Sequence, residues 1–192
     1  MNQGFHRPYT VLKERFKDIE LQAVEVDETR IAMAISRGIN VVKVDVEKEK
    51  LPFSDNSFDM VLFTEVMEHL SNPLLILSEI KRVVKPAGAV IVSTPNAVGL
   101  FGRYNHLFGC TPYYIPFLPV RGSRKGQYGD HRFELTISQC KDLLEKNGYK
   151  IEKAVFSRMN HKRRGIILKI IERLALLKPS WSDIMIFKCK VL

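Results

Sequence analysis

With 192 residues, 45% apolar and 27% charged, the chain is long enough for one domain with its own core and ordinary in composition for a globular protein. Its three cysteines, Cys110, Cys140 and Cys189, lie far apart and form no Cys-x-x-Cys pair, which argues against a disulfide framework or a zinc site and fits a reducing cytoplasm. A formal net charge of +9 draws anionic partners without choosing among them, and the best membrane candidate, residues 166–177, is too short and is broken by Lys169, Glu172 and Arg173.

Residues 9–16 put Val11, Leu12 and Phe16 on one helical face behind Pro8, which predicts a first helix. "IELQAVEV" predicts a strand over 19–26. "DETRIAMAISRG" predicts a helix over 27–38, with Asp27 as its cap and Gly38 as its stop. "NVVKV", 40–44, reads as a short strand. Pro52 and the polar run 54–57 then form a turn, followed by an apolar strand over 58–63. The end of that strand delivers Glu65, Glu68 and His69 to the carboxyl edge of a sheet, where ligands sit in open α/β proteins. Leu74, Leu77, Ile80 and Val84 recur at helical spacing over 72–84, with Lys85-Pro86-Ala87-Gly88 as the stop. "AVIVST", 89–94, is a buried strand closed by Pro95.

Residues 96–130 carry seven aromatic side chains among six glycines and three prolines, too irregular for a plain connection and long enough for a lid or substrate loop. A helix over 138–147 with Gly148 beyond it, a strand over 149–156, an amphipathic helix over 164–177 and a strand over 184–191 complete the pattern. Alternating strands and helices predict an α/β fold, with a mostly parallel sheet covered on both faces, in a single domain of residues 1–192.

The pieces "AVEVDE", "VDVEKEKLPFSDNSFDMV", "TEVMEHL", "EIKRVVKPAGAVIVSTPN" and "HRFELTISQCKDLLEKNGYKIE" together resemble the class I S-adenosylmethionine-dependent methyltransferases of the type 11 group. That resemblance implies a Rossmann-like fold, S-adenosylmethionine as cofactor, and a cofactor site drawn from Gly4, Glu25, Val26, Asp45, Val46 and Glu65. Glu25 stands where the family places the acid that takes the ribose hydroxyls, with Val26 beside the adenine face. Asp45 stands where an acceptor meets the adenine amino group, with the Val46 backbone close to the ring. Glu65, His69 and His131 are the candidate catalytic residues, orienting or deprotonating the acceptor; helix capping and loop anchoring explain the same positions. Some quinone-precursor O-methyltransferases that this stretch resembles carry a similar Glu and Glu-His set and use a divalent metal, but no metal is assigned here.

One family element is missing. Aligning Glu25 with the ribose position lays "NQGFH", residues 2–6, over the glycine loop, where only Gly4 survives, and the family's central first strand would lie before Met1. Two inner strands would then lack a neighbour, so the expectation is a chain start placed too late; a complete chain would put cofactor binding in doubt. The expected function is methyl transfer to a small-molecule, lipid-linked or glycan acceptor under the 96–130 loop. The alternative is a non-catalytic methyltransferase-like partner or scaffold that has lost the cofactor. No Asn/Asp-Pro-Pro-aromatic motif is present, "STPN" being a distant echo, so a nucleic-acid acceptor is not expected. The 164–177 helix, behind its basic patch, could touch an anionic membrane surface peripherally.

Overall fold

The computed structural model describes residues 12, 15, 18–100, 103, 107, 131–157 and 178–192, which fall into two compact units, 1–52 and 53–192. The helix expected over 9–16, most of the 96–130 loop and the helix expected over 164–177 lie outside the described residues.

In the first unit, β1 (Gln22–Glu25) runs parallel to β2 (Asn40–Lys43), joined by α1 (Glu28–Ile35). A parallel pair needs such a crossover, because a tight hairpin reverses direction. The Asp27 carboxylate accepts the Arg30 amide at 2.8 Å and opens α1; Gly38, at φ 74°, lets the chain leave it in a left-handed turn. β1 is shorter than the strand expected over 19–26. At its end the Glu25 carboxylate takes the next two amides, Val26 N at 2.9 Å and Asp27 N at 3.1 Å, and so turns the chain out of the ladder.

The second unit is a four-stranded sheet in the order β3 (Phe58–Thr64), β4 (Val84–Pro95), β6 (Ile184–Val191), β5 (Tyr149–Ser157). β3 and β4 are parallel, connected through α2 (Pro73–Val83), whose cap Asn72 accepts the Leu74 amide at 3.0 Å. β6 lies between β4 and β5 and runs antiparallel to both, so the sheet is mixed. Lys85 to Gly88, read as the stop of the preceding helix, belong to β4, which begins as α2 ends and meets β3 through an irregularity between Phe58 and Met60. Glycine suits that junction: a Cβ on Gly88 would stand 2.7 Å from Val84 Cγ2 and 3.0 Å from the Asp59 carbonyl.

α3 (Ile137–Lys146) starts one residue earlier than expected, because Thr136 and Gln139 form a reciprocal capping box; it ends before Gly148 at φ 82°. Along β6, Met185, Phe187 and Cys189 are fully buried and alternate with less buried neighbours. They share the core with Val90, Val92, Leu77, Ile80, Leu144 and Tyr149. Each such apolar side chain contributes about 1.5–3 kcal/mol by leaving water, and the Tyr149 hydroxyl, buried with them, donates to the Leu77 carbonyl at 2.5 Å. Among the described residues, β1 and β3 each have a strand on one side only.

Candidate functional site

The exit of β3 is a strained bend. Glu65 adopts φ 53°, a left-handed conformation that costs a non-glycine residue about 1–3 kcal/mol and persists only when its surroundings enforce it. Here β4 enforces it from both ends of the residue. The Glu65 amide donates to the Ser93 carbonyl at 3.0 Å, and the Ser93 hydroxyl donates to the Glu65 carboxylate at 2.7 Å. A 3-10 turn, Met67–His69, follows, with Met67 and Glu68 fully buried. Because the register sets Thr64 beside Ser93, both strands end together, and the next hydroxyl, on Thr94, donates to Glu68 Oε2 at 3.1 Å.

A third segment closes on these acids. The Arg132 amide donates to the Glu68 carbonyl at 2.7 Å, and the Ala97 amide donates to the Leu135 carbonyl at 3.0 Å, which fixes residues 131–136 before α3 begins. This brings in His131, whose Nδ1 lies 2.9 Å from Glu134 Oε1, with both side chains under a tenth exposed. The His131 ring meets that of His69 edge-on, centroids 4.8 Å apart, and His69 Nε2 stands 4.0 Å from Glu68 Oε1. Glu68, His69 and His131 each bring one donor atom within 4.8 Å of the others, so carboxylate and imidazole can exchange a proton or approach a cation together.

Burial sets the electrostatics of this cluster. It pushes the Glu68 carboxyl up to about 7, with the neighbouring Glu65 charge adding to the rise and His131 and Thr94 partly offsetting it. Glu65 is raised for the same first reason, against the opposing Ser93 hydrogen bond. Burial disfavours a charge on His131, but the Glu134 hydrogen bond and the Glu68, Glu134 and Glu65 charges outweigh it and hold the imidazole above its ordinary range. A carboxyl pushed up to about 7 beside an imidazole held above its ordinary range is the equipment of acid-base chemistry.

The first unit carries the other candidates. Glu25 ends β1 with its side chain only 10% exposed: one oxygen holds the Val26 and Asp27 amides, and the other lies 3.5 Å from Arg30. Val26, next in the chain, is 51% exposed, an apolar face in water beside an acid. The Val44 amide donates to the Glu25 carbonyl at 3.0 Å, so the ends of β1 and β2 meet. The Asp45 carboxylate that follows accepts the Glu47 amide at 3.1 Å and pairs with Lys48 at 2.7 Å, which holds it below the usual carboxylate range. Val46 is half-buried in the same turn. Gly4 lies outside the described residues.

Ser93 and Thr94 were not picked out from the sequence, and Glu134 only as the acid of the stretch that His131 opens. "STPN" read as a weak motif, whereas its two hydroxyls are the partners of Glu65 and Glu68, and its Asn96 amide bonds the Ser180 and Ser182 carbonyls. The signal was present as two hydroxyl residues ending an apolar strand that runs parallel to the one carrying the acids.

Residues 4–92 match the family model described as a methyltransferase domain. Over 132 residues, 67% of this chain, it is 30% identical to a probable S-adenosylmethionine-dependent methyltransferase of Mycolicibacterium smegmatis, of which it covers 43%. These matches support a class I S-adenosylmethionine-dependent methyltransferase, the family model covering residues 4–92. It spans less than half the length of the curated relatives it matches first. Its fold is shared with a SAM-dependent methyltransferase structure from Thermotoga maritima, at 18% identity and TM-score 0.62 over 97% of this chain and 95% of that one. A SAM-dependent methyltransferase from Archaeoglobus fulgidus gives 18% identity and TM-score 0.63 over 95% and 80%. S-adenosylmethionine is the cofactor of this family, and the Glu25 end of β1 fits a nucleoside: its second carboxylate oxygen has capacity for ribose hydroxyls, and Val26 offers an exposed apolar face.

Proposed function

We propose that this methyltransferase transfers a methyl group from S-adenosylmethionine to a small-molecule, lipid-linked or glycan acceptor in the cytoplasm, residues 1–192 acting as one domain and 96–130 covering the acceptor. The observation that carries the reading is the convergence of a buried His131–Glu134 pair with buried Glu68 and its half-exposed neighbour His69 at the joint end of β3 and β4, in a chain of this family. Glu25 would take the ribose hydroxyls, Val26 and Val46 the adenine faces, Asp45 the adenine amino group, and Gly4 and Glu65 the methionine part. Glu65, His69 and His131 would act on the acceptor. The cofactor supplies a methyl carbon made electrophilic by its sulfonium; the acceptor's lone pair forms the new bond while the carbon–sulfur pair leaves with sulfur. The residues therefore have to position the acceptor and move its proton, without any covalent enzyme intermediate.

Isothermal titration with S-adenosylmethionine and S-adenosylhomocysteine tests this. The wild-type chain should bind both, and Glu25→Ala should weaken binding by on the order of 100-fold, the loss expected for two hydrogen bonds to a charged group. A folded wild-type chain that binds neither would reject the reading and favour a non-catalytic partner.

A further inference from the structure

We infer that one face of the four-stranded sheet is a docking surface for an anionic lipid bilayer, on which Lys150, Lys153, Lys188 and Lys190 meet headgroup phosphates while Leu62 and Val155 enter the interface beside them. Docking there requires neither the cofactor nor the acceptor, and none of these residues belongs to the site at the joint end of β3 and β4.

A strand packed on one side hides alternate side chains and shows the others. On β6 the hidden row is Met185, Phe187 and Cys189, and the shown row includes Lys188 and Lys190. β5 is less regular. Its register against β6 shifts between Ile151 and Lys153, which leaves Glu152 as an extra residue. Lys150 therefore stands opposite Lys190, and Lys153 opposite Lys188, two like-charge pairs on one face. An unshifted register would set Glu152 against Lys188 and turn Lys153 to the covered face. Like charges directly opposed destabilise a sheet, and a bulge is a means of re-aiming a side chain. Glu152, the one acid in β5 and β6, bonds both Lys188 at 2.9 Å and Lys190 at 3.0 Å. Lys150 and Lys153 are exposed and pair with no acid among the described residues. Four lysines against one carboxylate leave an excess of positive charge that an anionic partner would relieve.

What lies beside the lysines decides which anion. The register carries the same face across the sheet: Lys188 is opposite Ile91, Ile91 is opposite Leu62, and Val155 is opposite Ile186. Leu62 is 43% exposed, Val155 46%, and Met60, two residues before Leu62, 53%. The helices lie on the other side, where the Tyr149 hydroxyl reaches the Leu77 carbonyl of α2 and Cys140 of α3 is buried near Cys189. A free phosphate or a nucleic-acid backbone would need the lysines alone, and the residues named offer no aromatic ring on which a base could stack. A bilayer interface takes both parts. Its acyl boundary receives the apolar side chains, while the lysine stems lie along them and carry the ammonium groups to the phosphates. The formal net charge of +9 draws the whole chain toward such a surface.

Co-sedimentation of the full chain with vesicles tests this, comparing phosphatidylcholine alone with an equimolar mixture of phosphatidylcholine and phosphatidylglycerol. The chain should partition onto the mixed vesicles, much less onto the neutral ones, and less as salt is raised. Lys150→Gln combined with Lys153→Gln should lower partitioning about 30-fold, at roughly fivefold for each lysine near an anionic surface. The same double variant should melt at or above the wild-type temperature, because it relieves both like-charge pairs, so its loss of binding is not a loss of fold. Lys81→Gln combined with Lys146→Gln removes the same charge from exposed positions on α2 and α3 and should lower partitioning about twofold at most. Val155→Thr keeps the side-chain shape and should lower partitioning on the order of fourfold at every salt concentration. Equal losses in the two lysine pairs would reduce the effect to net charge, and unchanged partitioning in the Lys150 and Lys153 variant or in Val155→Thr would put the contact elsewhere; either result overturns the assignment. So would a wild-type chain that ignores the mixed vesicles, and its retention by RNA or polyglutamate would make the partner a soluble polyanion instead.

Discussion

Glu68→Gln should remove much of the pH dependence of this protein's stability. In the folded chain the Glu68 carboxyl is 1% exposed and pushed from the ordinary 4.5 up to about 7, so the native state holds its proton more tightly than the unfolded chain does. The sign follows from linkage. Below about 4.5 the group is neutral in both states and costs nothing, and the penalty grows as pH rises until it is complete above about 7. At about 1.4 kcal/mol per tenfold, the full penalty is about 3 kcal/mol. Because His131 is coupled to the same acid, the observable difference is on the order of 1–3 kcal/mol. Gln keeps an oxygen for the Thr94 hydroxyl but has no charge to desolvate. Urea unfolding at several values between pH 5 and 8, followed by Trp181 fluorescence and circular dichroism, gives the comparison. Wild type should lose stability toward pH 8, and the variant should lose less and finish the more stable of the two. Other titrating groups are common to both proteins, so the difference between the curves reports Glu68 and its effect on His131. Parallel curves, or a variant weaker than wild type at pH 8, would refute the claim that burial of this carboxyl governs the slope.

Thr94→Val keeps the shape but removes the hydroxyl from Glu68, and should cost about 1–3 kcal/mol, more at pH 8 than at pH 5 because an ionised acceptor needs its donor more; the same urea series reads it. Gly88→Ala sets a methyl 2.7 Å from Val84 Cγ2 and 2.9 Å from the Lys85 carbonyl, so the start of β4 must shift. The expected loss is about 1–3 kcal/mol, or roughly 2–4 °C of Tm per kcal/mol for a chain of this size, seen in a thermal melt.

Local chemistry made most of the elements legible. Asp27 and Gly38 mark α1, Thr136 and Gly148 bracket α3, and the apolar runs at 58–63 and 184–191 coincide with β3 and β6 because burial on these strands leaves a pattern that no neighbouring helix shares. Lys85 to Gly88 do end α2, as proline and glycine suggest; their place in β4 was hidden because it depends on the close approach of the Asp59 carbonyl, which only the paired strand creates. The direction of β6 was hidden for a related reason: strand patterns record which faces are buried and not which way the neighbours run. At the site, Glu65, Glu68 and His69 stood out as polar residues at the end of an apolar strand. The hydroxyls of Ser93 and Thr94 did not, since their meaning comes from Glu65 and Glu68, 28 and 26 positions away, which the sheet register alone brings near.

The place of β6 in the sheet also dictates the order in which the chain can be built. β4 and β5 make no direct ladder with each other; each pairs with residues 184–191, which are synthesised after both. During translation, which delivers the N-terminal portion first, the β3–β4 pair that carries the acids can form while β5 and its helix wait without a partner strand. The sheet becomes continuous only when β6 slides between them, a closure across 84 or more residues for the Asn96 contacts and a slow step for a chain of this length. Any nascent chain paused before residue 184 would expose the ladder edges of both β4 and β5, which makes that interval the one in which a chaperone has most to shield.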